Sequence, residues 1–596
     1  LVYLWALALP TMVLVLLGRL AMLQIGAPDA GLGHQVVLSV ADIATWGALI
    51  LFAFAVLGGR HPRVWLVALV VCHCLWNFLE LTSVGVLVST TAYLDWPMLQ
   101  ILVEHPNIMV PMATVATPRY LQVLLVAVVV QPIVTTPVVA WLLRRRGRES
   151  SVNRPLLLVV AACAVVVALV FPVGVPDRHA GQSAPMGIAE SMAQDVVRTV
   201  SGREGSALVG PARAVEDGPA RDVVVIFLES TSRRATTLGD RELATTPHLA
   251  GLARTGADVE NMSVVISHTS QATAAVMCGT WPEPVSENAA ASSAGPSRVC
   301  LPRLLARRGY RTGWFQSGYT YFENDTEMFK NLGFDTVVGR EDLRRTHGFA
   351  TVNYFGLEDK AALAPSEAWL RRIPKNQHVV LGYSTLATHH DYDIPQSWIG
   401  SWVSDKTRNR YLSAVHYSDS FVAEVVAMLK RTGRWGNTDL LVIGDHGEAF
   451  GEHGLDFHTG VPYDEVMKVP AVFTGPGVPP GPVRTPASQV DVLPTLAKLA
   501  GFELEGTPYP GVDIFGPLGT SHRQQFFDCG YDRICTGVQD WPWKFIDNFD
   551  RKPAELYDLV HDPLEQENVA GQHPDVVRRL DASVRAWRRE AERPYD

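Results

Sequence analysis

Asp445, His446 and Glu448, followed by Gly451, Glu452, His453, Gly454 and then His458, crowd oxygen and nitrogen donors into one short loop. Carboxylate oxygen beside imidazole nitrogen is a mixed donor set suited to zinc or manganese, with magnesium also admissible on the oxygen side, and an ion held this way can activate an oxygen nucleophile. The interleaved glycines let the backbone close around such an ion. Two other places put reactive side chains straight after an apolar run. Val223–Leu228 ends at Glu229, and Val379–Gly382 leads through Tyr383–Thr388 to His389 and His390. Any one of these groups could be an ordinary helix cap or a solvated turn. Three such endings in one chain favour a shared site.

The elements that must position these groups follow from the same runs. Leu440–Ile443 precedes Gly444 and Asp445, so each cluster stands at the end of a short apolar stretch that reads as a buried strand. From Asp222 onward, apolar runs alternate with amphipathic stretches, the pattern of an α/β domain with a mostly parallel central sheet. In open sheets of that kind the carboxyl ends of the strands face one crevice, where residues distant in sequence meet.

The first third of the chain has a different character. Of the 596 residues 47% are hydrophobic and only 19% charged, too apolar on average for one soluble body of that size. The excess lies in stretches near 1–23, 36–57, 64–88, 119–143 and 155–173, each about long enough to cross a bilayer as a helix. An α-helical transmembrane bundle of about five helices is therefore expected over 1–175, a linker over 176–220, and the catalytic domain over 221–596. Arg60 and Arg63 follow the second stretch, and Arg144, Arg145, Arg146, Arg148 and Arg154 follow the fourth. Basic loops are retained on the cytoplasmic side, so five spans send the catalytic domain outside, on a multi-pass protein of a bacterial-type cell membrane. The chain starts at Leu1 without a methionine, which leaves room for a preceding segment. Cys278, Cys300, Cys529 and Cys535 all fall in the outer part, an even number suited to an oxidising compartment. Nearest-neighbour pairing would join Cys278 to Cys300 and Cys529 to Cys535, although spacing alone leaves the connectivity open. A net charge of −9 and no basic cluster with interleaved aromatics set nucleic acid aside as a partner.

The segment DHGEAFGEHG, Asp445–Gly454, resembles the metal-binding loop of the sulfatase and alkaline-phosphatase superfamily. TPHLAGLARTG at 246–256, DVLPTLAKLAG at 491–501 and ELYDLVHDPLEQENVA at 555–570 extend the resemblance over nearly all of 222–575. Sulfatases oxidise a Cys or Ser to formylglycine ten residues before a helix-closing Gly. Counting back from Gly279 reaches Thr269, with Gln271 and Thr273 where that motif has Pro and Arg. A threonine nucleophile after membrane spans is similar instead to lipoteichoic acid synthases and the phosphoglycerol and phosphoethanolamine transferases.

That resemblance implies metal ligation by Glu229, Thr269, Asp445 and His446, with Thr269 as nucleophile and Ser270 or Thr273 as fallbacks. It also implies that His389, His390 and His458 contact substrate, His389 or His458 serving as acid. The physical case for Thr269 agrees: a cation lowers the pKa of a hydroxyl, and a helix expected over Gln271–Met277 would offer its first N–H groups to phosphate oxygens. The implied reaction moves a phosphate-linked head group from a phospholipid donor to a glycan or glycolipid acceptor through a phosphothreonine. A phosphodiesterase or sulfuric ester hydrolase of sulfatase type is the alternative. Phe322–Asp325, FEND, departs from the FWNR-like segment of the synthases and leaves the head group open.

Overall fold

The computed structural model describes Leu79 and residues 212–592, apart from short internal stretches such as 282–288 and 321–323. The chain divides into two compact units, 1–201 and 202–596. The five expected spans and most of the expected linker lie outside the described residues. Among the described residues no helix is long and apolar enough to cross a membrane.

The second unit is built on an eight-stranded sheet. Its strands in chain order are β1 (Asp222–Leu228), β2 (Ala257–Val259), β3 (Arg311–Gln316), β4 (Thr336–Val338), β5 (Val379–Ser384), β6 (Thr438–Gly444), β7 (Ala471–Thr474) and β8 (Gly481–Val483). They lie side by side as β8-β2-β7-β6-β1-β5-β3-β4. Only the β6–β7 and β7–β2 pairs are antiparallel. The other pairings are parallel, as the alternation of apolar and amphipathic stretches leads one to expect.

β1, β5 and β6 read as near-continuous apolar runs because both of their faces are covered. Alternate residues of a strand point to opposite faces. Val223, Val225 and Phe227 accordingly enter one core, together with Leu441 and Ile443 of β6. Val224, Ile226 and Leu228 enter the other, with Leu440 and Val442.

Five helices matter for the site: α1 (Pro247–Thr255), α2 (Thr269–Cys278), α3 (Lys406–Arg431), α4 (Val492–Leu499) and α5 (Pro574–Glu592). α2 and α4 supply Val276, Met277, Leu493 and Leu496 to the first core. α3 covers the second with Phe421, Val422, Val425 and Leu429. The TPHL segment gains a physical reason here. Pro247 begins α1, and the backbone N–H groups of His248 and Leu249 donate to the carboxylate of Asp419, buried on α3. The orphan donors of one helix start are thus satisfied from another helix.

A four-stranded antiparallel sheet, β9 (Gln525–Asp528), β10 (Thr536–Asp540), β11 (Trp543–Asp547) and β12 (Glu555–Asp558), closes the unit with α5 against it. The closing segment is fixed by charge: the fully buried Lys544 of β11 is 2.8 Å from Asp464 and 2.7 Å from Glu565. Residues 213–216, placed in the linker by composition, instead form a strand antiparallel to 502–505. Both cysteine pairs join as nearest neighbours, Cys278 to Cys300 and Cys529 to Cys535.

Candidate active site

The pairing register of β1 and β6 sets Leu228 beside Gly444, so Glu229 and Asp445 emerge next to one another at the carboxyl ends of the strands. Both are buried. Ser230, in the left-handed region at φ 46°, donates its backbone N–H to Asp445 Oδ1 at 2.8 Å and its hydroxyl to Glu229 Oε1 at 2.9 Å. A non-glycine residue held there stores strain, which proteins concentrate at functional sites. Tyr411 of α3 secures this turn, its hydroxyl donating to the Ser230 carbonyl at 2.8 Å and accepting the Ser232 N–H at 3.1 Å.

β5 lies on the other side of β1, and the loop after it clamps Glu229 from behind. Thr385 Oγ1 accepts the Glu229 N–H at 3.0 Å, and the Thr388 hydroxyl donates to the Glu229 carbonyl. His389 and His390 follow at once, both half-buried at the mouth. The rings of His389 and His458 are 6.5 Å apart.

Thr269 is the first residue of α2, with His268 as its cap, so the helix begins two residues earlier than expected and Thr269 is not a capping residue. α2 ends at Gly279, whose φ of 55° is the left-handed conformation that glycine supplies at helix ends. Thr269 Oγ1 lies 3.4 and 3.3 Å from the two oxygens of Glu229 and 3.3 Å from His446 Nε2. It is half-exposed, whereas Ser270 and Thr273 on the same helix are buried. The Ser270 hydroxyl sits 3.1 Å from His268 Nδ1. Of the three hydroxyls, Thr269 is the one that joins the cluster.

The four residues expected to hold a metal thus converge, and a cation fits them on three grounds. One ligand atom from each of Glu229, Asp445 and His446 falls within 4.8 Å of the others, about the spread of an ion's first shell with ligands near ~2.1 Å. Asp445 Oδ2 is buried with no hydrogen-bond partner. His446 points Nδ1 at the Gly447 carbonyl, 3.0 Å away, which leaves the Nε2 lone pair toward the carboxylates. Burial, reinforced by the charge of Asp445, pushes Glu229 well above the usual carboxylate range. Burial raises Asp445 to about 7 and lowers His446 to about 4. Two anions and a neutral imidazole in a dry site call for positive charge.

His458 stacks on His446 with ring centroids 4.2 Å apart and places Nδ1 3.0 Å from Glu448 Oε2. Burial raises Glu448 to about 7, and Tyr392 donates to its other oxygen at 3.1 Å. Gln489, unmarked in the sequence, ties the cluster to α2 and α4: its side-chain amide donates to the Asp445 carbonyl at 2.6 Å and its oxygen accepts the Val265 N–H at 3.0 Å. Its partners are 44 and 224 residues away, so no local pattern could single it out. Of the FEND segment, Phe322 lies outside the described residues, and Asp325 begins the helix Asp325–Leu332.

A family model for sulfatases matches residues 221–502, the stretch that supplies every one of these groups. Residues 221–502 are therefore a domain of the sulfatase/alkaline-phosphatase superfamily. Within this superfamily the chain is 30% identical over 204 residues to a choline-sulfatase of Rhizobium meliloti, covering 33% of the chain and 38% of that protein. It is also 30% identical over 226 residues to the lipoteichoic acid synthase-like protein YvgJ of Bacillus subtilis, 36% of each chain. The chain spans less than half the length of the curated relatives it matches. The lipoteichoic acid synthase LtaP of Listeria monocytogenes has the same fold, with a TM-score of 0.50 at 20% identity, covering 62% of this chain and 92% of that one.

Proposed function

We propose that this superfamily member is a membrane-tethered, metal-dependent transferase that moves phosphoglycerol or phosphoethanolamine from a phospholipid to an extracytoplasmic glycan or glycolipid. The observation that carries the reading is Thr269. A half-exposed threonine stands where sulfatases have their oxidisable residue, with its hydroxyl within 3.4 Å of Glu229 and His446. Glu229, Thr269, Asp445 and His446 would hold a divalent cation, whose positive charge would acidify the Thr269 hydroxyl and polarise the phosphate.

The protein's own groups do the rest. Glu229 and His446 fix the direction of Thr269 Oγ1, and the Glu229 carboxylate, which has a second oxygen, accepts its proton. The first N–H groups of α2 receive phosphate oxygens. As the bond from phosphorus to Oγ1 forms, the bond from phosphorus to the diacylglycerol oxygen breaks, and diacylglycerol leaves with a proton from His389 or His458. In the second half an acceptor hydroxyl attacks the phosphothreonine and the bond from phosphorus to Oγ1 breaks; the acceptor's proton passes to the histidine, and Thr269 regains its own from Glu229.

The chain incubated with phosphatidylglycerol or phosphatidylethanolamine and digested should yield a Thr269 peptide heavier by phosphoglycerol or phosphoethanolamine. The adduct mass names the head group, and an unmodified peptide with both lipids would sink the mechanism. The 30% identity to a choline-sulfatase favours one second reading, a sulfatase-type hydrolase that passes the group to water. Release of head group or sulfate that is indifferent to added glycan would identify it.

A further inference from the structure

Beyond the metal cluster, the loop that carries it ends in an exposed aromatic ring. Phe457 is 42% exposed, beside His458 in the chain, and the other large hydrophobic side chains exposed to a similar degree among the described residues are Val215, Trp541, Val560 and Leu564. Val215 lies on the 213–216 strand, Trp541 in the turn between β10 and β11, and Val560 and Leu564 after β12. Phe457 therefore stands alone on the metal loop.

Its placement is specified. Phe457 pairs with Ala449 where two short antiparallel strands, Ala449–Phe450 and Asp456–Phe457, meet, and it adopts φ 65°, a costly conformation for an aromatic residue. One side of the ring meets His390, with centroids 5.5 Å apart. From there the path to the nucleophile is short: His458 stacks at 4.2 Å on His446, and His446 is 3.3 Å from Thr269 Oγ1. Two exposed carboxylates are chain neighbours of this ring pair, Asp456 next to Phe457 and Asp391 next to His390.

This combination has a chemistry. The electron-rich face of an isolated ring attracts the polarised C–H groups of a sugar ring, while carboxylates accept hydrogen bonds from its hydroxyls. A pair of acyl chains needs a contiguous apolar surface, which one ring does not provide. The same carboxylates repel an anionic saccharide. We propose that Phe457, with Asp391 and Asp456, is the acceptor platform, and that the acceptor presents an uncharged sugar ring there. The role as acceptor site rests on the transferase reading, whereas the binding of sugar does not.

The test is calorimetric titration of the full chain with a neutral hexose tetrasaccharide and with its sulfated counterpart, alongside transfer kinetics with phosphatidylglycerol and phosphatidylethanolamine. The neutral sugar should bind more tightly than the sulfated one. Phe457→Ala should raise both its Kd and its acceptor KM about fivefold to tenfold, and Phe457→Trp should restore them. Asp391→Asn with Asp456→Asn should remove the discrimination against sulfate. Equal sugar affinity in wild type and Phe457→Ala, an effect on the donor KM in place of the acceptor KM, or preference for the sulfated sugar would each overturn the platform. If no Thr269 adduct forms with either lipid, the transferase reading fails, and the titration still decides whether Phe457 binds sugar.

Discussion

Thr269 Oγ1 has three proton acceptors within 3.4 Å, and none of them comes from its own helix. Thr269→Ala is therefore expected to lower transfer on the order of 10³-fold or more while leaving the fold intact, measured as head-group release and as loss of the modified peptide. A fully active alanine variant would refute the nucleophile assignment. Asp359 carries a separate prediction. It is buried, its Oδ1 accepts the Leu386 N–H at 2.6 Å, and burial raises its pKa to about 7. Because the folded state holds this proton more tightly than the unfolded chain, the unfolded carboxyl ionises first as pH rises from about 4. Stability should then fall up to about pH 7, by about 4 kcal/mol for this one group. Asp359→Asn keeps the acceptor and removes the ionisation, so its unfolding midpoint should overtake that of wild type as pH rises through this window. Identical pH profiles for the two proteins would contradict the assignment.

α2 is held at both ends, which keeps its first residue aimed at the cluster. Its last residue, Cys278, is bonded to Cys300, 22 residues on. In the loop-entropy account a bridge of that span stabilises by about 3 kcal/mol, so Cys278→Ser with Cys300→Ser should lower the denaturation midpoint accordingly. Gly279 closes the helix at φ 55°, and a Cβ there would stand 3.1 Å from both Leu493 and Tyr509. Gly279→Ala should cost about 1–2 kcal/mol, because it combines an unfavourable backbone conformation with a tight contact. Denaturant unfolding reads both changes, and an unchanged midpoint for Gly279→Ala would mean that the helix end shifts without penalty. This element was legible in outline: the spacing from Thr269 to Gly279 anticipated a helix ending at the glycine. The start at Thr269 was not, because His268 caps through its backbone conformation, with no side-chain hydrogen bond to the helix start.

For the whole molecule the decisive quantity is the charge at the strand ends. Glu229 and Asp445 are buried side by side, and the other residues of their cluster, His446 and Thr269, bring no positive charge. Chelator treatment should lower the melting temperature of the second unit. Restoring zinc, manganese or magnesium should raise it by mass action, the folded state gaining about 2.7 kcal/mol when the free ion is a hundredfold above its Kd. Asp445→Asn should abolish that rise, and a melting temperature indifferent to all three ions would exclude the centre. Gln489 belongs at this scale too. Gln489→Ala leaves the buried Asp445 carbonyl and Val265 N–H without their partner, an expected loss of about 1–3 kcal/mol, read in the same melting experiment.

By itself the sequence determined the periodicities and the chemical inventory. The apolar runs that became β1, β5 and β6 could be read because both faces of a central parallel strand are buried, and the metal loop because its donors are neighbours in the chain. The glycine-marked end of α2 was equally local, whereas the cysteine connectivity, left open by spacing, was decided in the fold. Tertiary structure decided what depends on register and crossing. The pairing of Leu228 with Gly444 sets Glu229 beside Asp445, Tyr411 and Gln489 reach the site from remote elements, and the 213–216 segment finds its strand partner at 502–505. Such contacts carry no local signature, because hydrogen bonds and burial between distant segments depend on distance in space and are blind to distance along the chain.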